Sequence, residues 1–264
     1  MSILEGLRFS QGSSPVHRLD PRVKFFMTMV IFVTAVLFMD LIPLLVILLA
    51  QVPIVLAGRI GREWAKTLRG GLFFAVVIFA TNIISFYFFR GRQLTSEMVE
   101  FALTLTIRFI ALITSFSIFF LTTSPDELSL ALDKARVPYE FNFAFITAIR
   151  FVPVIADEAQ SIMDAQRSRG LELDKGSFLS RIRKYIPILL PLIINSIRRS
   201  LELAEAMESR AFGASRRRTS LYELRMGWMD GVVLAASTAA LAASVYIRFF
   251  TPGFGPVLPS FSLL

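Results

Sequence analysis

The sequence predicts an all-α membrane protein: about five transmembrane helices plus a cytoplasmic domain of about three helices. Three observations carry this. Apolar residues make up 55% of the 264 and charged residues 18%, against about a quarter charged in an ordinary soluble domain. The apolar residues lie in runs of about 17–25, the length that crosses a hydrocarbon core about 30 Å thick. Between the fourth and fifth of these runs lies a stretch of mixed charge and helical periodicity that has no uninterrupted spanning run.

The elements follow in chain order. Asp20-Pro21 supplies a capping carboxylate and a first-turn proline, and opens a first span, Val23–Met39. Leu41–Ala57, Leu72–Phe89 and Val99–Thr122 are the next three. Ser124-Pro125-Asp126-Glu127 repeats the start signal, with acids in the first turn, and its helix, Ser124–Ala135, should end before Val137-Pro138. A second helix runs from about Phe141 to Arg169 and stops at Gly170, the residue favoured just past a helix end. A third runs from about Phe178 to Arg210 and loosens at Ala211-Phe212-Gly213. Trp228–Phe250 is the last span. Within the middle stretch, Arg150 and Pro153 break Phe141–Ile155, and Ile186–Ile197, interrupted by Pro187 and Pro191, is only about 12 residues long. The expected domains are therefore 1–123, four spans; 124–227, cytoplasmic; and 228–264, a span with an external tail. A tilted helical pair dipping into the bilayer is the alternative for the middle domain.

Charge orients these spans. His17-Arg18-Leu19-Asp20-Pro21-Arg22-Val23-Lys24 precedes the first, and the expected loop between the second and third carries Arg59, Arg62, Lys66 and Arg69 with only Glu63 opposing them. The loop between the third and fourth balances Arg90 and Arg92 against Glu97 and Glu100. Excess Lys and Arg marks the cytoplasmic side, so the N-terminus is expected inside the cell membrane. The same rule accounts for the net charge of +8 without nucleic acid. Arg216-Arg217-Arg218 reads as a contact with anionic lipid and a topology signal. The opening residues have no apolar core after a basic start, so no cleaved signal peptide is expected.

Most chemistry is missing. There is no cysteine, hence no thiolate metal site or thiol nucleophile. No GxxxxGK[ST], HExxH or GxSxG motif occurs, and the single histidine, His17, cannot hold a metal alone. Polar residues inside spans are costly. Asn82, Ser85, Thr104, Thr106 and Arg108 are candidates to face one another in the bundle. Arg108, near mid-depth, either satisfies a neighbouring carbonyl or meets a partner membrane protein. Phe141, Phe143, Phe145 and Phe151 give a face suited either to sliding against a partner or to ordinary packing.

One feature recurs. Asp164-Ala165-Gln166-Arg167-Ser168-Arg169-Gly170 and Glu205-Ala206-Met207-Glu208-Ser209-Arg210-Ala211 share acid, alanine, then Ser-Arg-small, 41 positions apart. A single arginine in a last turn is explained by the helix dipole and free carbonyls. A matched pair, each flanked by small residues, places two guanidinium forks where they can enter grooves on another protein. A twofold-symmetric partner would offer two such grooves.

With those residues the chain resembles the transmembrane T component (EcfT) of energy-coupling factor transporters, which includes the cobalt-type permeases. The resemblance covers essentially the whole length and rests on the His17–Lys24 stretch, the span pattern and the two arginine motifs. The family motif is commonly Ala-Arg-Gly. Here Ser168-Arg169-Gly170 and Ser209-Arg210-Ala211 replace alanine by serine twice and glycine by alanine once. The resemblance implies a non-enzymatic scaffold whose middle helices are coupling helices. It implies two ABC-type ATPases docked on the two motifs, with ATP and magnesium bound there, and a membrane S component that captures a vitamin or metal ion. Arg108, Phe141 and Phe145 would then contact the S component or the bundle. The alternatives are a conventional ABC importer permease that binds substrate itself and a membrane enzyme acting on lipids.

Overall fold

A computed structural model describes residues 14–89, 96–172, 177–214, 224 and 226–250. Among them are eight α-helices and no strand: α1 Pro21–Leu37, α2 Leu41–Gly58, α3 Gly61–Phe89, α4 Ser96–Thr122, α5 Pro125–Lys134, α6 Tyr139–Ser168, α7 Phe178–Ser209 and α8 Trp228–Phe250. The chain divides into two compact units. One comprises the bundle through Ala131 together with the chain from Leu224 onward, and the other takes in Leu132–Glu223.

In the bundle α4 is the central helix, packed on α1, α2 and α3, while α8 packs on α1. The α4 face that meets its neighbours carries small and hydroxylated residues, with Ala102, Thr104, Ala111, Thr114 and Ser115 all buried. Small residues let membrane helices approach closely. Gly71 of α3 is buried against Ile113, where a Cβ would make ordinary contact at 3.7 Å. Polar side chains join the helices inside the bundle. Gln51, fully buried, donates to the Ala111 carbonyl at 3.1 Å and accepts from Thr114 Oγ1 at 2.7 Å. Ser115 reaches the Thr28 carbonyl at 3.3 Å, and Thr67 meets Ser117 at 3.0 Å. The intramembrane polar residues singled out in the sequence are satisfied mostly within their own helices. Asn82, Thr104 and Thr106 each bond a carbonyl of their own helix, the ordinary way to satisfy a short polar group where water is absent, and Ser85 is exposed.

Two expectations change, one over the segment after α2 and one over which helices are long and apolar enough to span. The basic segment after α2 is not a loop, because α3 starts at Gly61 and takes in Arg62, Lys66 and Arg69. Arg59, in the left-handed region at φ 54°, makes the turn between the two helices, and Glu63 pairs with Lys66 one turn on, at 2.9 Å. Arg150 and Pro153, which break the apolar run, lie inside an unbroken α6, in line with the helix expected from about Phe141 to Arg169. A proline removes one backbone bond but does not end a helix whose neighbours hold it. By length and composition α6 joins α2, α3, α4 and α8 as the five helices able to cross a membrane, while α1, at 17 residues, sits at the short end of spanning length.

The second unit is built on α6 and α7, which run antiparallel. Gln166 bonds the Pro187 carbonyl, Glu158 meets Asn195 and Arg199, and Phe212 packs on Tyr139 and Phe143. As residue numbers rise on one helix they fall on the other. Arg90, Arg92, Arg216-Arg217-Arg218, the first 13 residues and the tail from Thr251 lie outside the described residues.

Candidate partner-docking site

Both arginine motifs close their helices in the same way. At the end of α6, Gly170 N–H bonds the Arg167 carbonyl at 2.9 Å and Leu171 N–H reaches back to Gln166 at 3.0 Å. At the end of α7, Ala211 N–H bonds Glu208 at 2.9 Å and Phe212 N–H bonds Met207 at 3.0 Å. This paired pattern is the Schellman motif, which needs a left-handed residue just past the helix. Gly170 takes it at φ 89° and Ala211 at φ 55°. Arg169 and Arg210 occupy the same capping position and are exposed. Among the described residues neither guanidinium has an ion-pair partner. Ser168 and Ser209 turn their hydroxyls back onto the Asp164 and Ala206 carbonyls, each at 3.0 Å. Each serine therefore acts as a small residue and presents no free donor beside the arginine.

Because α6 and α7 are antiparallel, the two tips lie at opposite ends of the pair, on the order of 35 Å apart at 1.5 Å of rise per residue. Each end has its own support. Lys184 Nζ donates to the Glu172 carbonyl beside the first tip, at 2.7 Å. Beside the second, the Phe212 ring lies 4.9 Å from Phe143 and 5.8 Å from Tyr139. Midway, Glu158 Oε2 accepts from Arg199 Nη2 at 2.9 Å and Oε1 accepts from Asn195 at 2.7 Å. Sequence reading passed over this contact, although Glu158 and Arg199 stand 41 positions apart, the same offset as the two motifs.

The other residues singled out lie elsewhere. Arg108 donates through Nη2 to the Phe38 carbonyl, at the end of α1, while its Nε is buried without a partner. Phe141 is 72% exposed and Phe145 38%, so both present ring surface. Among the described residues no three His, Cys, Asp or Glu side chains gather as metal ligands do.

The His17–Lys24 stretch proves to be a fastening. Lys24, buried at the start of α1, donates to the carbonyls of His17 at 2.9 Å and Thr122 at 2.8 Å, and to Glu127 at 3.3 Å. Glu127 also completes a capping box with Ser124, each side chain bonding the other's backbone N–H at 3.1–3.2 Å. Asp20 caps α1 through Arg22 N–H at 2.9 Å, and its own N–H donates to Asp230 at 2.8 Å, which ties α8 to the same point. These residues were legible only as separate charges; the pairing of Lys24 with Glu127 and of Asp20 with Asp230 was not.

The two tips, the Lys24–Glu127 contact and helices α1 to α7 fall inside the match to one family model, the CbiQ cobalt transport protein, over residues 12–221. The chain belongs to that family. Curated relatives agree along nearly the full length. An energy-coupling factor transporter transmembrane protein EcfT from Bacillus selenitireducens is 33% identical, covering 94% of this chain and 98% of its own. The EcfT of Ruminiclostridium cellulolyticum is 31% identical over 92% and 96%, and that of Thermotoga maritima 30% over 93% and 94%. This EcfT-family chain is thus a multi-pass membrane transport subunit, in keeping with its apolar helices.

Proposed function

We propose that this EcfT-family subunit is a non-enzymatic scaffold that carries ATP-driven motion from two cytoplasmic ATPases to a substrate-capturing S component for vitamin or metal-ion uptake. The observation that carries the reading is the pair of identically built arginine tips at opposite ends of one antiparallel helix pair. A dimeric ABC-type ATPase offers two equivalent grooves, and a guanidinium fork suits a carboxylate lining in each. ATP and magnesium belong to those partners, and this chain needs no cofactor of its own. A conventional permease would dimerise and contribute one such contact per copy, whereas this chain supplies two.

The surface for the S component is apolar. Along α7, Ile182, Ile186, Leu189, Ile193, Ile197 and Leu201 are each at least half exposed and recur at helical spacing. Phe141 and Phe145 add ring surface on α6. A continuous apolar stripe this long is an interaction surface, and an S component within the bilayer matches its chemistry. The basic residues at the start of α1 and of α3 support a cytoplasmic N-terminus.

The test is Arg169→Glu combined with Arg210→Glu. The double variant should insert normally, lose ATPase co-purification and lose uptake. Normal ATPase recovery with this variant would refute the docking assignment. One chain per two ATPases is the expected stoichiometry; two chains per two would favour the conventional permease.

A further inference from the structure

We propose that Glu158, Asn195 and Arg199 are positioning residues that set the distance between the two arginine tips, so that both engage a dimeric partner at once. The proposal rests on the docking reading above and adds which residues hold the docking geometry.

The geometry is symmetric. Arg169 follows Glu158 by 11 residues, and Arg210 follows Arg199 by 11. Eleven residues are about three turns, so each clasp residue shares a helix face with its own tip and stands roughly 16 Å from it. The two arms are equal. Contacts on either side are spread thinly: Ile188 is the one fully buried apolar side chain among the described residues of α6 and α7. Apolar packing therefore does little to choose one register or crossing over its neighbours.

The clasp does choose. Glu158 uses both oxygens, one on Arg199 at 2.9 Å and one on Asn195 at 2.7 Å. The Arg199 guanidinium lies over the Phe151 ring, 6.0 Å from its centre, and its Nη1 is buried without a hydrogen-bond partner. Sliding either helix by a turn would break two charge-assisted bonds and strand a carboxylate that is only 19% exposed. Polar groups enclosed between helices are well suited to fixing register in this way. Two-point docking makes the register matter. Engaging a second site adds avidity only when the spacing fits, and the gain vanishes when it does not.

The chain contains no cysteine, so Asp164→Cys with Glu205→Cys gives a clean pair for spin labels, one turn before each tip. In the full chain in lipid nanodiscs the parent should give one narrow distance. Arg199→Ala should broaden and shift it by several ångströms, and lower the apparent affinity for the dimeric ATPase about 100-fold, to the level of a single-tip variant. The exchange Glu158→Arg with Arg199→Glu should restore both, since Asn195 can either donate or accept. If Arg199→Ala fails to accumulate, Glu158→Gln removes the charge while keeping the shape and is read by the same distance. An unchanged distance in the variant that accumulates overturns the proposal, as does full ATPase affinity despite an altered distance. Failure of the docking reading shows separately, as ATPase binding by the Arg169→Glu, Arg210→Glu chain.

Discussion

At residue scale, Gly170 and Ala211 occupy equivalent left-handed positions but pay differently for them. A Cβ at Gly170 would meet nothing within 4 Å, so Gly170→Ala introduces only the conformational penalty, about 1 kcal/mol. Ala211 already bears that penalty and is held by Phe212 against Tyr139 and Phe143. Amide hydrogen exchange over residues 166–171 should therefore quicken about fivefold in Gly170→Ala, and exchange over 207–212 should slow by a similar factor in Ala211→Gly, as about 1 kcal/mol requires. Equal exchange in parent and variants would mean that the tips do not depend on the left-handed turn. Glycine after the first motif was readable as a helix stop. That alanine adopts the same turn after the second was not, because the compensating contact comes from aromatic residues about 70 positions earlier in the chain.

At element scale, α1 is short and depends on how its start is fastened. His17 sits in that fastening. Ser14 Oγ meets its Nδ1 at 2.6 Å, and its own carbonyl accepts from Lys24. Burial, and after it the Lys24 ammonium, hold the imidazole below its ordinary value, while the Leu121 carbonyl and Glu127 pull the other way. The folded state thus prefers neutral His17. A group whose folded pKa is depressed contributes stability that is complete above the unfolded value, about 6.5 for histidine, and lost as pH falls through the lowered folded value. Thermal unfolding in detergent from about pH 8 to about pH 5 should show a falling midpoint, with a flatter profile in His17→Gln. Matching profiles would assign the acid sensitivity to other groups. The capping signals at Asp20-Pro21 and Ser124–Glu127 were plain in the sequence because caps are local. The Lys24 contacts to Thr122 and Glu127 were not, because pairing over about 100 residues leaves no periodic trace.

At the scale of the whole molecule, the docking proposal rests on having two tips. Arg169→Glu or Arg210→Glu alone should leave one contact intact, so ATPase should still bind but should wash off at moderate salt, with apparent affinity down about 100-fold. Co-purification across a salt series measures this. Single variants that bind as tightly as the parent would indicate that one tip suffices.

The sequence by itself determined the helical membrane class, the last span to the residue and the repeated arginine motif, since apolar run length, caps and a fixed offset are local properties of a chain. Only the tertiary structure decided that the basic segment after α2 is helix, that Lys24 meets Glu127 and that Asp20 meets Asp230. It alone put Arg169 and Arg210 at opposite ends of one antiparallel pair with Glu158 and Arg199 between them. Such outcomes depend on which helix packs against which, and a buried charge or a proline finds its compensation only in the neighbour the fold brings to it.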